Sequence, residues 1–181
     1  MKSKLKGTRN IKLTGNSYAI LALLDQFGES TPYDIKQAME VSIQNFWPVP
    51  HTTAYEEPAR LAAGGYLAVR QEEGGRRRRF YSLTEAGREA LAAWAADVEV
   101  APPQLREEAI LKVFAGADPE PLGAARRAWH EAKRDELSAM LREVREADGY
   151  AASERTLMVG VTYHQKMLEL LDALANASGR S

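Results

Sequence analysis

The sequence predicts a mainly α-helical fold with one small β-hairpin, followed by a helical, coiled-coil-like region. Three observations predict it. Apolar residues recur in steps of three and four along most of the chain, Gly and Pro cut that periodicity into discrete helices, and a Gly-rich turn separates two short extended runs. With 181 residues, 45% of them apolar, the chain can bury a core in one domain or in one small domain with an appendage. No run of about 18 apolar residues is present to cross a membrane. No apolar segment with a small-residue cleavage site follows the basic N-terminus, so a secretory signal is not expected. The absence of cysteine excludes disulfides and thiolate metal sites, which suits a cytoplasmic protein.

The first helix shows as Ile20, Leu23, Leu24 and Phe27, an i, i+3, i+4, i+7 stripe that Gly28 ends. Thr31 as N-cap with Pro32 at the first helical position starts a second helix, whose core side is Ile35, Ala38 and Met39. Phe46 to Pro50 cannot continue it, because two prolines remove donors and restrict the residues before them. Thr53 and Glu56 fit a capping box that opens a third helix, with Ala54, Leu61 and Ala62 inward and Gly64 and Gly65 as its stop. Two extended runs follow, Tyr66 to Arg70 and Phe80 to Leu83, around Glu72, Glu73, Gly74 and Gly75, whose glycines allow the positive φ of a tight turn. Thr84 then caps a fourth helix with a stripe of Leu91, Trp94 and Val98.

Three helices, a hairpin and a helix make the order of a winged helix-turn-helix. A helix fits the DNA major groove, and the hairpin can reach along the duplex. Charge follows the same division. Up to Ala92 there are 13 basic against 10 acidic residues, and beyond it 11 against 15, although the whole chain has a net charge of only −1. Lys2, Lys4, Lys6, Arg9 and Lys12 open the chain without an acid among them, and Arg76, Arg77, Arg78 and Arg79 are consecutive beside the turn. Two basic clusters flanking a globular segment are the electrostatic footprint of a polyanion-binding protein. The wing arginines are placed to neutralise phosphates. On the third helix the outward face holds Thr52, Thr53, Tyr55 and Arg60, with His51 just ahead as either a further contact or a plain loop residue.

The same residues resemble a known family. Tyr18 to Leu24, Tyr33 to Lys36, Phe46 to Pro48, Tyr55, Leu61, Gly65 to Leu67 and Phe80 to Arg88 follow the PadR pattern in unbroken order over residues 14 to 98. The resemblance implies a homodimeric transcriptional repressor, released from its operator by a small aromatic or hydrophobic effector, and two recognition helices one turn of DNA apart predict that the operator is palindromic. It also implies that Tyr33 touches a phosphate, the alternative being a half-buried tyrosine. Trp94 lies where some relatives stack flat aromatic ligands, and otherwise packs the C-terminal helices onto the winged domain; Trp129 and Tyr163 are further candidates. Three positions depart from the pattern. Pro32 stands where Gly is usual, Glu56 where Pro is usual, and Pro58 where Leu is usual. Pro58 lacks a donor and clashes with the carbonyl four residues back, so the third helix is expected to kink or start late. Glu56 is expected to serve the positive end of its helix.

Beyond the hinge of Ala101, Pro102 and Pro103, the pattern predicts a short amphipathic helix from Leu105 to Phe114 and a long one from about Pro119 to Glu146, ended at Asp148 and Gly149. The last helix has two apolar stripes. One is Leu157, Val161, His164, Leu168 and Leu171, expected to form the dimer interface; the other is Gly160, Tyr163, Met167, Leu170 and Leu174. One antiparallel partner cannot cover both, so a second copy of the chain is expected. His51, His130 and His164 have no metal-ligand spacing, and the sequence contains no glycine-rich phosphate loop or nucleophile elbow. Neither an enzyme nor a metal or other cofactor is expected. The resulting organisation is a basic arm at 1–13, a DNA-binding domain at 14–100, a dimerisation domain at 104–176 and a disordered tail at 177–181. A winged-helix protein-interaction or architectural module without a specific operator or effector is the alternative.

Overall fold

The computed structural model describes residues 11–74, 77–102, 106–147 and 151–178, the side chains of 151 and 174–178 excepted. Lys2, Lys4, Lys6, Arg9, Gly75, Arg76, Pro103, Leu105, Gly149 and the end of the expected tail lie outside these residues, as does the side chain of Leu174. The chain divides into two compact units, Met1–Val100 and Ala101–Ser181.

The first unit holds α1 (Gly15–Phe27), α2 (Pro32–Val41), α3 (Thr53–Ala63), β1 (Leu67–Gln71), β2 (Arg79–Leu83) and α4 (Glu85–Ala96). Reciprocal side-chain bonds start α1 and α2. Thr14 and Ser17 cap the first, and Thr31 and Asp34 cap the second, with Pro32 at the helix start where its missing donor costs nothing. Gly28 ends α1 at φ 77°, in the left-handed region that glycine adopts without strain. The core joins Ile20, Leu21, Leu23 and Leu24 of α1 to Ile35 and Met39 of α2, Leu61 of α3, and Leu67, Tyr81 and Leu83 of the hairpin. Truncating a buried leucine such as Leu61 to alanine costs about 2–5 kcal/mol. Phe27 is more exposed than its spacing predicts, and Leu21 takes the inward position instead.

The strands pair antiparallel with Val69 opposite Tyr81 and Leu67 opposite Leu83. Ser30 adds a short third edge. Its N–H donates to the Tyr81 carbonyl at 3.0 Å, and the Tyr81 N–H donates back at 2.9 Å. Thr84 caps α4 by accepting from the Gly87 N–H at 3.1 Å, while its own N–H donates to the Tyr66 carbonyl. A Cβ at Gly87 would fall 2.2 Å from that same Tyr66 oxygen, so only glycine fits. Val98 lies beyond the end of α4 and is 91% exposed, which shortens the expected stripe to Leu91 and Trp94.

The second unit contains α5 (Glu108–Phe114), α6 (Pro119–Ala147) and α7 (Ala151–Ser178). Arg145–Glu154, Leu137–Gly160, His130–His164 and Arg127–Asp172 make contact in turn, ascending one helix while descending the other, so α6 and α7 are antiparallel. At Gly160 an added Cβ would come within 2.8 Å of Leu137 Cδ1, which shows how closely the helices approach there. Leu137, Leu141 and Leu157 form the hairpin core, with Met140, Val144 and Val161 packed around it.

The stripe expected to meet a partner chain therefore has a different role. Leu157, His164 and Leu168 are buried within the single chain, and Val161 and Leu171 are half-buried. The reason is that α6 presents its own apolar face to this stripe, with Leu137 and Leu141 at the contact. The other stripe leaves Tyr163 and Leu170 exposed.

At the middle of the hairpin His130 Nδ1 and His164 Nδ1 are 2.8 Å apart, so one ring donates its N–H and the other accepts. Trp129 and Tyr163 set their rings edge-on around the pair. Both histidines titrate below the ordinary 6.5, first because of burial. The charge of Arg126 lowers His130 further against the opposing pull of Glu107, and His130 and Lys133 lower His164 against Glu136. A depressed folded value means that the unfolded chain binds protons first. The stabilisation is thus complete above about pH 6.5 and lost as pH falls through the folded values. Thermal unfolding followed by circular dichroism between about pH 8 and 5 should show a flat Tm above that point and a decline below it. His164→Gln should flatten the decline, and an equal decline in the variant would mean that the carboxylates cause it.

Candidate nucleic-acid interface

The start of α3 is built so that its hydroxyls stay free. The expected capping box does not form, because Thr53 is already helical and the preceding Thr52 has helical backbone angles and makes no side-chain cap. Backbone carbonyls do the capping instead. Pro50 accepts from Thr53, His51 from Ala54 and Thr52 from Tyr55, giving tight i to i+3 turns that satisfy the first donors. Thr52 is exposed and Thr53 half-exposed. Tyr55 is also exposed, and its neighbour Glu56 faces solvent.

Tyr33 on α2 is 57% exposed rather than half-buried, and its hydroxyl accepts from Gln37 Nε2 at 3.2 Å. Lys36 brings the two tyrosines into one electrostatic neighbourhood. Its ammonium is held above its ordinary range chiefly by Glu40, 2.9 Å away, with smaller contributions from Tyr55 and Tyr33. Nothing in the linear pattern marked Lys36 as part of this surface. His51 sits 3.8 Å from the same Glu40.

Arg60 does not face outward alone. Its Nε donates to Glu57 Oε2 at 2.8 Å, and its terminal nitrogens reach Glu57 Oε1 at 2.5 Å, Ser17 Oγ at 2.9 Å and the Lys12 carbonyl at 3.1 Å. Ser17 is fully buried and donates to Glu57 Oε1 at 2.7 Å. Burial pushes the Glu57 carboxyl up, but the bonds from Arg60 and Ser17 outweigh it and leave the group below its ordinary range. Glu56 stands in the first turn of α3, at the positive end of the helix, and Glu57 is a second acid with a structural role there. Pro58, directly after it, is buried in the core, and the helix runs through it to Ala63.

The wing turns through Gly74 at φ 108° and Arg77 at φ 48°. Arg78 is engaged within it. The Arg78 guanidinium donates to both oxygens of Glu72 at 3.1 and 3.0 Å and lies toward the Phe80 ring. Arg70 covers the same ring from 4.2 Å and pairs with Glu29. Arg77 and Arg79 are exposed and, among the described residues, have no carboxylate partner.

Trp94 stacks on Tyr18 with ring centroids 4.7 Å apart and planes 6° from parallel, yet remains 49% exposed. Trp129 and Tyr163, the other aromatic candidates, stand in the second unit around the histidine pair.

The winged-helix geometry has relatives. Residues 20–93 match the family model described as Transcriptional regulator PadR-like family. A Bacillus subtilis (strain 168) protein, negative transcriptional regulator PadR, is 30% identical over 99 residues, 54% of this chain and 54% of that protein. The chain thus spans about half the length of the curated relative it matches. A solved Bacillus subtilis PadR structure superposes with a TM-score of 0.75 at 21% identity, over 87% of this chain and 95% of that one. A PadR-like regulator from Bacillus cereus gives 0.75 at 20% identity, over 92% and 99%. At such identity these two speak for the fold. The Vibrio cholerae virulence activator AphA is 26% identical with a TM-score of 0.63, over 92% and 100%. The similarity to the PadR-like family of transcriptional regulators thus lies in the domain at residues 20–93.

Proposed function

We propose that the chain is a cytoplasmic, homodimeric repressor that binds a palindromic operator in double-stranded DNA and is released by a small aromatic or hydrophobic molecule. One observation carries the reading. A single winged-helix unit presents the uncommitted hydroxyls of Thr52 and Thr53 and the exposed Tyr55 at the start of α3, together with Arg77 and Arg79 on its wing, which lack a carboxylate partner among the described residues. Thr52, Thr53 and Tyr55 meet base edges or phosphates in the major groove, with Tyr33 and Lys36 on the adjacent backbone. Solved Bacillus subtilis PadR structures contain operator DNA in one case and p-coumaric acid in another, which supports both halves of the proposal.

In this reading residues 14–100 bind DNA, with the 1–13 arm as an added basic element, and 104–176 dimerise. The dimer uses the apolar surface that α6 leaves uncovered, with Tyr163 and Leu170 at its centre. Two-fold symmetry then sets the paired α3 helices about 34–36 Å apart, one turn of DNA. Trp94 offers the effector a flat surface, since one face of its indole is on Tyr18 and half of the residue is open. Among the described residues, no helix is long and apolar enough to cross a membrane.

Selection of duplexes from a random library at near-physiological salt should enrich a palindrome bound about 10³-fold or more tighter than scrambled DNA. A ratio below about tenfold would instead support an architectural or protein-interaction module. Arg77→Ala with Arg79→Ala should weaken binding to all duplexes alike and reduce the log–log salt slope by about two, one for each phosphate no longer neutralised. Altered base preference in that variant would mean that the wing reads sequence. p-Coumaric acid or a related flat aromatic should quench tryptophan fluorescence in the wild type and not in Trp94→Ala. Equal quenching in both would move the effector away from Trp94.

A further inference from the structure

We infer that Arg60 and Glu57 act as a positioning pair that sets the angle of α3, and that Arg60 does not itself contact DNA. The inference rests on the DNA-binding reading above and deepens it. Pro58 removes one rung from the hydrogen-bond ladder of α3 just beyond its first turn, since it has no N–H to bond to the Ala54 carbonyl. Such a break ordinarily allows a helix to kink. Here the half carrying Thr52, Thr53 and Tyr55 is the half on the far side of the break, so any kink would re-aim those side chains.

The Glu57–Arg60 pair spans the break, with one partner on each side of Pro58. It is also tied to what lies beneath. Ser17 of α1 is completely buried and bonds both partners, at 2.7 Å to Glu57 and 2.9 Å to Arg60. Ser17 is itself fixed by the α1 cap, accepting from the Thr14 N–H at 2.8 Å. Arg60 further holds the Lys12 carbonyl at 3.1 Å, and Ile11 lies against Gly64, where a Cβ would meet it at 2.5 Å. The segment before α1, α1 itself and both halves of α3 thus meet in one network. A guanidinium with this set of acceptors has little left for a phosphate. Withdrawing it would leave Glu57 part-buried and unpaired, an unfavourable state for a carboxylate.

The experiment compares wild type with Arg60→Ala, Arg60→Lys and Glu57→Ala, using the duplex selected by the wild type and a scrambled duplex. If the pair positions α3, the ratio of selected to scrambled affinity falls about tenfold or more in Arg60→Ala and in Glu57→Ala, while the salt slope of Arg60→Ala is unchanged. Arg60→Lys keeps the charge without the fork and remains impaired. If Arg60 binds a phosphate, the signs differ. Arg60→Ala then lowers the slope by about one with the ratio preserved, and Glu57→Ala tightens binding by releasing a cation. Either result overturns the inference.

Hydrogen exchange on the free protein supplies the second arm. The amides of Tyr55, Glu56 and Glu57 should exchange about tenfold faster in both alanine variants, with the Tyr81 amide of the wing unchanged. Unchanged exchange at α3 overturns the inference. If the wild type selects no duplex, the DNA-binding proposal fails and this arm alone decides whether the pair braces the helix.

Discussion

The carbonyl oxygen of Tyr66 holds the winged-helix unit together. The N–H of Thr84 donates to it at 3.1 Å, and the Thr84 hydroxyl lies 2.9 Å from it and 2.8 Å from the Gly65 carbonyl. Gly87 passes so near that a methyl group would sit 2.2 Å away. A carbonyl shielded from water needs a donor, and here, where the contact is part-buried, the donor comes from the residue that follows β2 and caps α4. The exit of α3, the entry to β1 and the start of α4 are therefore one joint. With the Ser30 bridge gripping Tyr81 on the other edge, the hairpin leaves the core in a direction set by rigid elements. The exposed arginines of the wing, Arg77 and Arg79, inherit that direction.

Charge on this unit is less plentiful than its composition implies. Lys36, Arg60, Arg70 and Arg78 all have carboxylate partners, whereas Arg77 and Arg79 have none among the described residues. The pairs are of two kinds. Exposed pairs such as Arg78–Glu72 are screened by solvent and contribute little, so a phosphate can replace the carboxylate at little cost. Their role is to shape the surface, as where Arg70 and Arg78 flank the Phe80 ring. The Glu57–Arg60 pair is of the other kind. With its carboxylate largely enclosed and bonded to Ser17, separating it would strand a charge in the interior.

What could be read from the sequence, and what could not, divides along the same line. Local chemistry was legible, and so was the order of elements. The Thr31 and Thr84 caps, the Gly28 stop and the glycine turn of the wing each act within a few residues. Periodicity identified apolar stripes but not their partners. It placed Leu157, Val161, His164, Leu168 and Leu171 on one face of α7, yet could not say that α6 would occupy that face. Partners far along the chain were invisible. Ser17 and Arg60 are separated by 43 residues and Arg70 and Glu29 by 41, so no spacing rule connects them. Arg60 therefore looked free to meet DNA. The capping box at Thr53 failed for a local reason, since the turn ending at Thr52 satisfied the same donors with carbonyls.

The histidine pair shows how a polar contact can make a helical hairpin specific. Leucine contacts along α6 and α7 would tolerate a shift of one turn, because apolar packing is not directional. The bond between His130 and His164 would not. A one-turn slip would set His164 opposite Arg126 or Arg134 and leave two buried rings without their shared proton. Gly160 adds a second constraint, since its close approach to Leu137 exists at only one alignment. A fixed alignment decides which side chains α7 turns away from α6, and so places Tyr163 and Leu170 on the uncovered side. Burial that keeps both rings neutral also makes the alignment sensitive to acid, because a second proton between Nδ1 atoms 2.8 Å apart would oppose the first. The feature that holds the hairpin in register is thus also one on which acid acts.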